Sequence, residues 1–138
     1  MGYSMSMRDC NFTIIKSKFE PAKEALRGLA DSPENGSGYG NGKRHFAWVN
    51  DDFKNKNTLV DMVFCWRWLL YIDERTGNIG SISFEGEKYG DDDVLFQTLA
   101  PFVKRGSYIV MSGEDGAIWR WKFDGKSVVN QSGRVTFR

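Results

Sequence analysis

Hydrophobic and polar positions alternate most cleanly in the last third of the chain. Trp119, Trp121 and Phe123 occupy every second position, with Arg120 and Lys122 between them. Strand side chains point to opposite faces in turn, so one face of this run is core and the other is wet and basic. Asp115-Gly116 precedes the run and Asp124-Gly125 follows it. Asp-Gly between alternating apolar residues is a strong hairpin signal. Residues 107 to 138 therefore predict a three-strand meander.

Upstream the period changes. Residues 3 to 16 read as a first strand or a bent pair of strands, with Phe12, Ile14 and Ile15 late in the run. Ala22, Ala25, Leu26 and Leu29 have helical spacing, and Pro21 suits the first turn of a helix from about Glu20. Asp31-Ser32-Pro33 ends that helix. A short aromatic strand is predicted at Phe46-Ala47-Trp48-Val49. Thr58 is placed to cap a second helix running from Leu59 to about Trp68. Residues 71 to 74 and 79 to 85 read as a hairpin closed by Arg75-Thr76-Gly77-Asn78. Asp91, Asp92 and Asp93 open a third helix that reaches about Ala100. Carboxylates there complement exposed amides and the helix dipole. Pro101 ends or kinks it.

The predicted order is β-α-β-α-β-β-α-β-β-β. Hairpin connections dominate, so the expected fold class is α+β: a mostly antiparallel sheet of about six strands with three helices packed on one face. Residues 1–138 are read as a single domain with a flexible Gly-rich loop at 34–44, because neither flank of that loop could bury a core alone.

Composition adjusts this picture at three points. Ten Phe, five Tyr and five Trp among 138 residues make the chain rich in aromatics. Rings in the core explain stability, and rings left outside are candidate contacts. Nineteen basic and eighteen acidic residues leave a net charge of +1. That balance argues against a dedicated non-specific nucleic-acid binder. Cys10 and Cys65 stand isolated in apolar contexts. They read as buried thiols in a reducing compartment, and no signal peptide or membrane-length apolar run is visible. The expected location is the cytoplasm.

Chemical motifs are sparse. The loop carries Gly36, Gly38, Gly40 and Gly42. It fails as a Walker loop, since Gly42-Lys43 is followed by Arg44 and the preceding element is a helix. It reads as a mobile connection, or as a segment that orders on a partner, with Tyr39, Lys43, Arg44 and His45 as its contact residues. His45 is the only histidine, so no two-histidine metal site exists. The acidic run at 91–93, with Glu85 and Glu87, is accounted for by a helix start and a solvent-facing strand. No cofactor is implied. The second helix has an apolar surplus: Leu59, Met62, Val63 and Trp66 cover one face, while Val60, Phe64 and Trp68 cover much of another. Such a helix is either sandwiched or presents its surplus to a partner, with Phe64 and Trp68 as anchors. Arg120 and Lys122 form a basic sheet face that Arg134 joins if Gly133 marks a bulge.

The run Gly86-Glu87-Lys88-Tyr89-Gly90-Asp91-Asp92-Asp93-Val94-Leu95-Phe96 resembles a stretch of small uncharacterised proteins of phages and bacterial mobile elements. The likeness continues through Ala100-Pro101-Phe102-Val103, Gly106-Ser107-Tyr108-Ile109 and Gly113-Glu114-Asp115-Gly116-Ala117-Ile118-Trp119-Arg120-Trp121. The helix at 58–68 looks like part of the same pattern. The chain departs from it at Lys104 and Arg105, where acidic residues are common. The resemblance implies an origin in mobile DNA. It implies a non-enzymatic, protein-binding inhibitor of host defence, anti-CRISPR-like, that blocks a nuclease or nucleoprotein in the bacterial cytoplasm. The alternatives are a nucleic-acid-binding accessory protein that uses the basic sheet face, and a small metal-dependent hydrolase that uses the carboxylates. Direct nucleic-acid binding and membrane association are not expected, and the oligomeric state is left open.

Overall fold

The computed structural model describes residues 2–31, 36–40 and 43–133, with the backbone alone at 39, 40, 43 and 44. The fold is α+β, with three α-helices and antiparallel sheets. Its frame is a four-stranded sheet ordered β1-β6-β7-β8, built from β1 (Met5–Asn11), β6 (Tyr108–Gly113), β7 (Ile118–Phe123) and β8 (Val128–Ser132). A two-stranded ribbon, β4 (Trp68–Ile72) and β5 (Ile79–Phe84), stands beside it. Ile14 and Ile79 exchange both backbone hydrogen bonds, at 3.0 and 2.9 Å, and join the segment just after β1 to the start of β5.

The meander forms where the alternation places it. Gly116 and Gly125 adopt φ of 86° and 95°, which a side chain would oppose. In the second turn Asp124 Oδ1 accepts from the amides of Lys126 and Ser127 at 2.9 and 2.7 Å. This is the local carboxylate-to-backbone bonding that makes Asp a turn residue. Trp119, Trp121 and Phe123 are buried, and Arg120 and Lys122 lie on the outer face.

Three helices close the inner face: α1 (Phe19–Ala30), α2 (Leu59–Phe64) and α3 (Asp92–Leu99). They contribute Ala22 and Leu26, Leu59, Met62 and Val63, and Leu95, Phe96 and Leu99 to one core cluster. The core centres on rings that meet edge to face, the arrangement favoured by their quadrupoles. Trp68 crosses Phe96 at 73° and Trp121 at 80°. Phe12 meets Phe123 at 75°. Pro101 lies in a 3-10 turn, Ala100–Phe102, just beyond α3.

Three sequence expectations are corrected. The second helix stops at Phe64, and Trp68 begins β4 with no exposed surface. The amides of Trp66 and Arg67 reach back only three residues, to Val63 and Phe64, and Arg67 adopts φ of 70°. That left-handed residue is the usual helix terminator, with Arg where Gly is common. An almost unbroken apolar run hides such a boundary, because periodicity cannot separate a helix from a buried strand there. Trp68 is therefore a core residue, not an exposed anchor.

The predicted strand at 46–49 is a turn, and the strand before it is β3 (Lys43–His45), paired with β2 (Gly38–Gly40). Of the segment read as a flexible loop, 38–40 and 43–44 belong to this hairpin, 36 and 37 lead into it, and 34, 35, 41 and 42 lie outside the described residues. Its glycines serve close approach. A Cβ on Gly36 would sit 2.2 Å from the His45 carbonyl oxygen, and one on Gly38 would sit 2.8 Å from His45 Nε2.

Candidate functional site

The turn at Trp48 and the turn at Arg67 face each other across an open groove of about 560 Å³. Trp48, Asn50, Lys56, Asp61, Phe64, Cys65 and Arg67 line it. Among the described residues, Trp48 and Arg67 are the only non-glycine positions with positive φ, at 63° and 70°. A left-handed conformation is uncommon for any side chain and a true outlier for a bulky one. Both of these costly conformations border the same groove.

Local sequence explains how the Trp48 conformation is held. Asp91 Oδ2 accepts from the amides of Ser37 and Ala47 at 2.9 and 2.7 Å, which fixes the chain on both sides of the β2–β3 hairpin. Gly90 leaves the room the turn needs. A Cβ there would lie 2.5 Å from the Ala47 carbonyl oxygen and 2.9 Å from Trp48 Cδ1. The amide of Asn50 donates to the Cys65 carbonyl at 2.9 Å and ties the two turns together.

The indole so placed is 49 % exposed, and the Phe64 ring across the groove is 52 % exposed. Phe64 and Asp61 share a face of α2 because they are three residues apart. The Thr58 side chain caps that helix by accepting from the Asp61 amide at 3.1 Å, as the sequence predicts. Burial pushes the Cys65 thiol up, so it stays protonated and is a poor nucleophile.

The groove floor rests on Arg67, whose two terminal guanidinium nitrogens are already committed, while Nε is buried without a hydrogen-bond partner among the described residues. Nη1 donates to the Lys88 carbonyl, and Nη2 lies 2.9 and 3.0 Å from the two oxygens of Asp92. The Cζ carbon sits 5.4 Å from the centre of the Phe84 ring. Asp92 has no exposed surface, and it also accepts from Trp68 Nε1 and the Gly90 amide, each at 2.8 Å. Burial pushes its carboxyl up, and the Arg67 guanidinium draws it back. Asp93 accepts from Tyr89 and Trp121 Nε1 at 2.7 Å each, and from Asn130 at 3.2 Å. Burial, then the Asp93 carboxylate, push the Tyr89 phenol far up, so it remains a donor.

The three aspartates therefore point to three different parts of the fold: the hairpin, the ribbon and the meander. Among the described residues no three His, Cys, Asp or Glu side chains gather as a metal site. Glu114, in the turn between β6 and β7, accepts from the Ser4 amide at 2.9 Å.

The sequence candidates separate accordingly. Phe64 lies in the groove, and Trp68 lies beneath it in the core. His45 ends β3, half-buried against the hairpin glycines. The side chains of Tyr39, Lys43 and Arg44, and all of Arg134, lie outside the described residues. Arg120 and Lys122 occupy the outer sheet face and do not line the groove. The register sets Asp9, Val110, Arg120 and Gln131 in one row across that face. Arg120 donates to Gln131 from Nε at 3.1 Å and from Nη2 at 2.7 Å. The basic face is thus interrupted by neutral and acidic neighbours.

Sequence reasoning missed Trp48, Asn50, Lys56, Asp61, Cys65 and Arg67 as groove residues. No local signal marks a left-handed Trp or Arg. Comparison with known protein families, curated proteins and solved structures finds no match. The groove geometry therefore carries the functional reading.

Proposed function

We propose that the protein is a non-enzymatic binding protein whose Trp48–Phe64 groove seats a segment of a larger protein. The carrying observation is the pairing of backbone cost with exposure. Two left-handed residues border one groove, and Trp48 leaves about half its surface, 49 %, in solvent. Such outliers persist only where surrounding structure enforces them, and they cluster at ligand clamps and switch regions. Exposed Trp is also the residue type most enriched among interface hot spots. The resemblance to phage and mobile-element proteins directs the choice of partner to a host defence nuclease or nucleoprotein. In that reading the protein is an anti-defence, anti-CRISPR-like inhibitor acting in the bacterial cytoplasm. Among the described residues no helix is long and apolar enough to cross a membrane.

The test is inhibition of cleavage across a panel of purified bacterial defence nucleases, CRISPR effectors included. The wild-type protein is expected to inhibit at least one of them. The Trp48→Ala, Phe64→Ala double variant is expected to lose that inhibition while remaining folded by circular dichroism. Inhibition untouched by the double variant, or none across the panel, counts against the reading.

A further inference from the structure

We infer that the groove recognises a cationic side chain, lysine or arginine, presented by a peptide segment of the protein partner. The inference rests on the groove being the binding site, and it adds what the groove selects.

Shape does not decide between an apolar and a charged occupant, because two exposed rings suit either. The charges decide. Three ionised residues line the groove: Lys56, Asp61 and Arg67. Arg67 is held by the buried Asp92 carboxylate and the Lys88 carbonyl, so its charge is balanced beneath the floor. The Lys56 ammonium lies 3.5 Å from Asp52 Oδ2 and is balanced at the rim. Asp61 differs from both. Its amide serves the Thr58 cap, but its exposed carboxylate has no hydrogen-bond or ion-pair partner among the described residues.

The groove lining therefore offers one unbalanced charge, negative, alongside the exposed rings of Trp48 and Phe64. A cation is attracted both by a carboxylate and by the electron-rich face of an aromatic ring, and Trp is the best such ring. A neutral apolar occupant would desolvate Asp61 with nothing in return. An acidic occupant would meet Asp61 as a like charge. Only a cation uses the ring on the turn, the ring on the helix and the carboxylate together.

Selection of short random peptides displayed on phage against the full-length protein tests this. Binders are then sorted by whether they are lost on Trp48→Ala. The Trp48-dependent binders are expected to share a Lys or Arg at a common position. Replacing that residue with Gln should weaken binding roughly two- to tenfold. Asp61→Asn, a surface change that keeps the shape, should weaken the same peptides to a similar extent and narrow the Lys/Arg preference. Trp48→Phe, which keeps a π face, should restore part of what Trp48→Ala loses.

Trp48-dependent binders that carry no cation would overturn the cation inference and leave the groove as a binding site. Affinity for the cationic peptides that is unchanged in Asp61→Asn would also overturn it. The absence of any Trp48-dependent binder would overturn both the inference and the groove reading.

Discussion

Two regions of this molecule use the same residue types to opposite ends. At the start of α3, Asp92 and Asp93 draw the indoles of Trp68 and Trp121 inward by accepting their N–H groups. Both indoles are buried, at 0 % and 1 % exposure. In the groove, Trp48 stands on a left-handed backbone and turns half its surface out. Arg67 belongs to both regions, pairing with Asp92 below and lining the groove above. Aromatic content alone therefore says little about function. An aromatic ring with a buried hydrogen-bond partner is architecture. One held outward by an unfavourable backbone conformation is a candidate contact.

The largest expected effect tests that division directly. Trp121→Ala removes a fully packed ring and should cost about 3–5 kcal/mol. Trp48→Ala should cost about 1 kcal/mol or less, the range of surface changes. Urea denaturation of both variants measures the difference. Comparable losses would make the groove wall part of the core and erase the comparison.

Arg67 sharpens the comparison because it joins the regions. Arg67→Ala leaves the Asp92 carboxylate buried beside Trp68 and Gly90 with no counter-charge. Breaking a buried pair from one side costs about 3–5 kcal/mol. The Arg67→Ala, Asp92→Asn double variant should regain part of this, since its amide keeps the acceptor for Trp68 and buries no charge. The loss should also depend on pH. Burial already raises the Asp92 carboxyl above 3.8. Removing Arg67 takes away the attraction that opposes this rise. The native state of the variant then holds the proton more tightly than the unfolded chain does. Its deficit relative to wild type should shrink as pH falls from neutral through the raised value. A deficit that stays constant with pH would mean that Asp92 is neutral throughout.

A smaller effect isolates the backbone cost of the groove. Trp48→Gly relieves a left-handed residue, which costs about 1–2 kcal/mol for an L side chain. Glycine gives back roughly 0.5–1 kcal/mol in chain entropy. The net stability change should therefore lie within about 1 kcal/mol of zero and above that of Trp48→Ala. Binding of the groove ligand should be lost in both variants. If Trp48→Gly is no more stable than Trp48→Ala, the positive φ carries no strain.

The meander was legible because its signals are local: period-two alternation and Asp-Gly turns act over a few residues. The start of α2 was legible from Thr58 for the same reason. The end of α2 was not, because the run from Leu59 to Leu70 is broken only by Asp61 and Arg67, and the break is made by a left-handed Arg67 that sequence statistics do not anticipate. The three aspartates were read as one helix-start signal. Their separate partners, Ala47, Arg67 and Trp121, lie 44, 25 and 28 residues away in sequence. The groove was missed for that reason too. It exists only where the turns at 48 and 67 meet, and of its lining only Phe64 carried a sequence signal, an apolar residue surplus to one helix face.

The smallest effect concerns the far end of the meander, where a turn stands outside both regions. Asp124 accepts from the amides of Lys126 and Ser127 and from the Ser127 hydroxyl, and these donors hold its carboxyl down at about 2. The ordinary value is 3.8. The native state releases this proton more readily than the unfolded chain, so the turn gains stability from the ionised form above pH 3.8 and loses it as pH falls toward about 2. Hydrogen exchange followed by NMR should show the Lys126 and Ser127 amides losing protection across that window, and Asp124→Asn should flatten the dependence. The Trp121 indole N–H, bonded to Asp93 at the inner face of the same sheet, serves as the reference. If acid loosens the turn while the indole stays protected, the aspartate hub holds the sheet independently of its outer hairpin. If the two signals move together, the meander and the hub melt as one unit, and the aspartate hub is weaker than its hydrogen bonds imply.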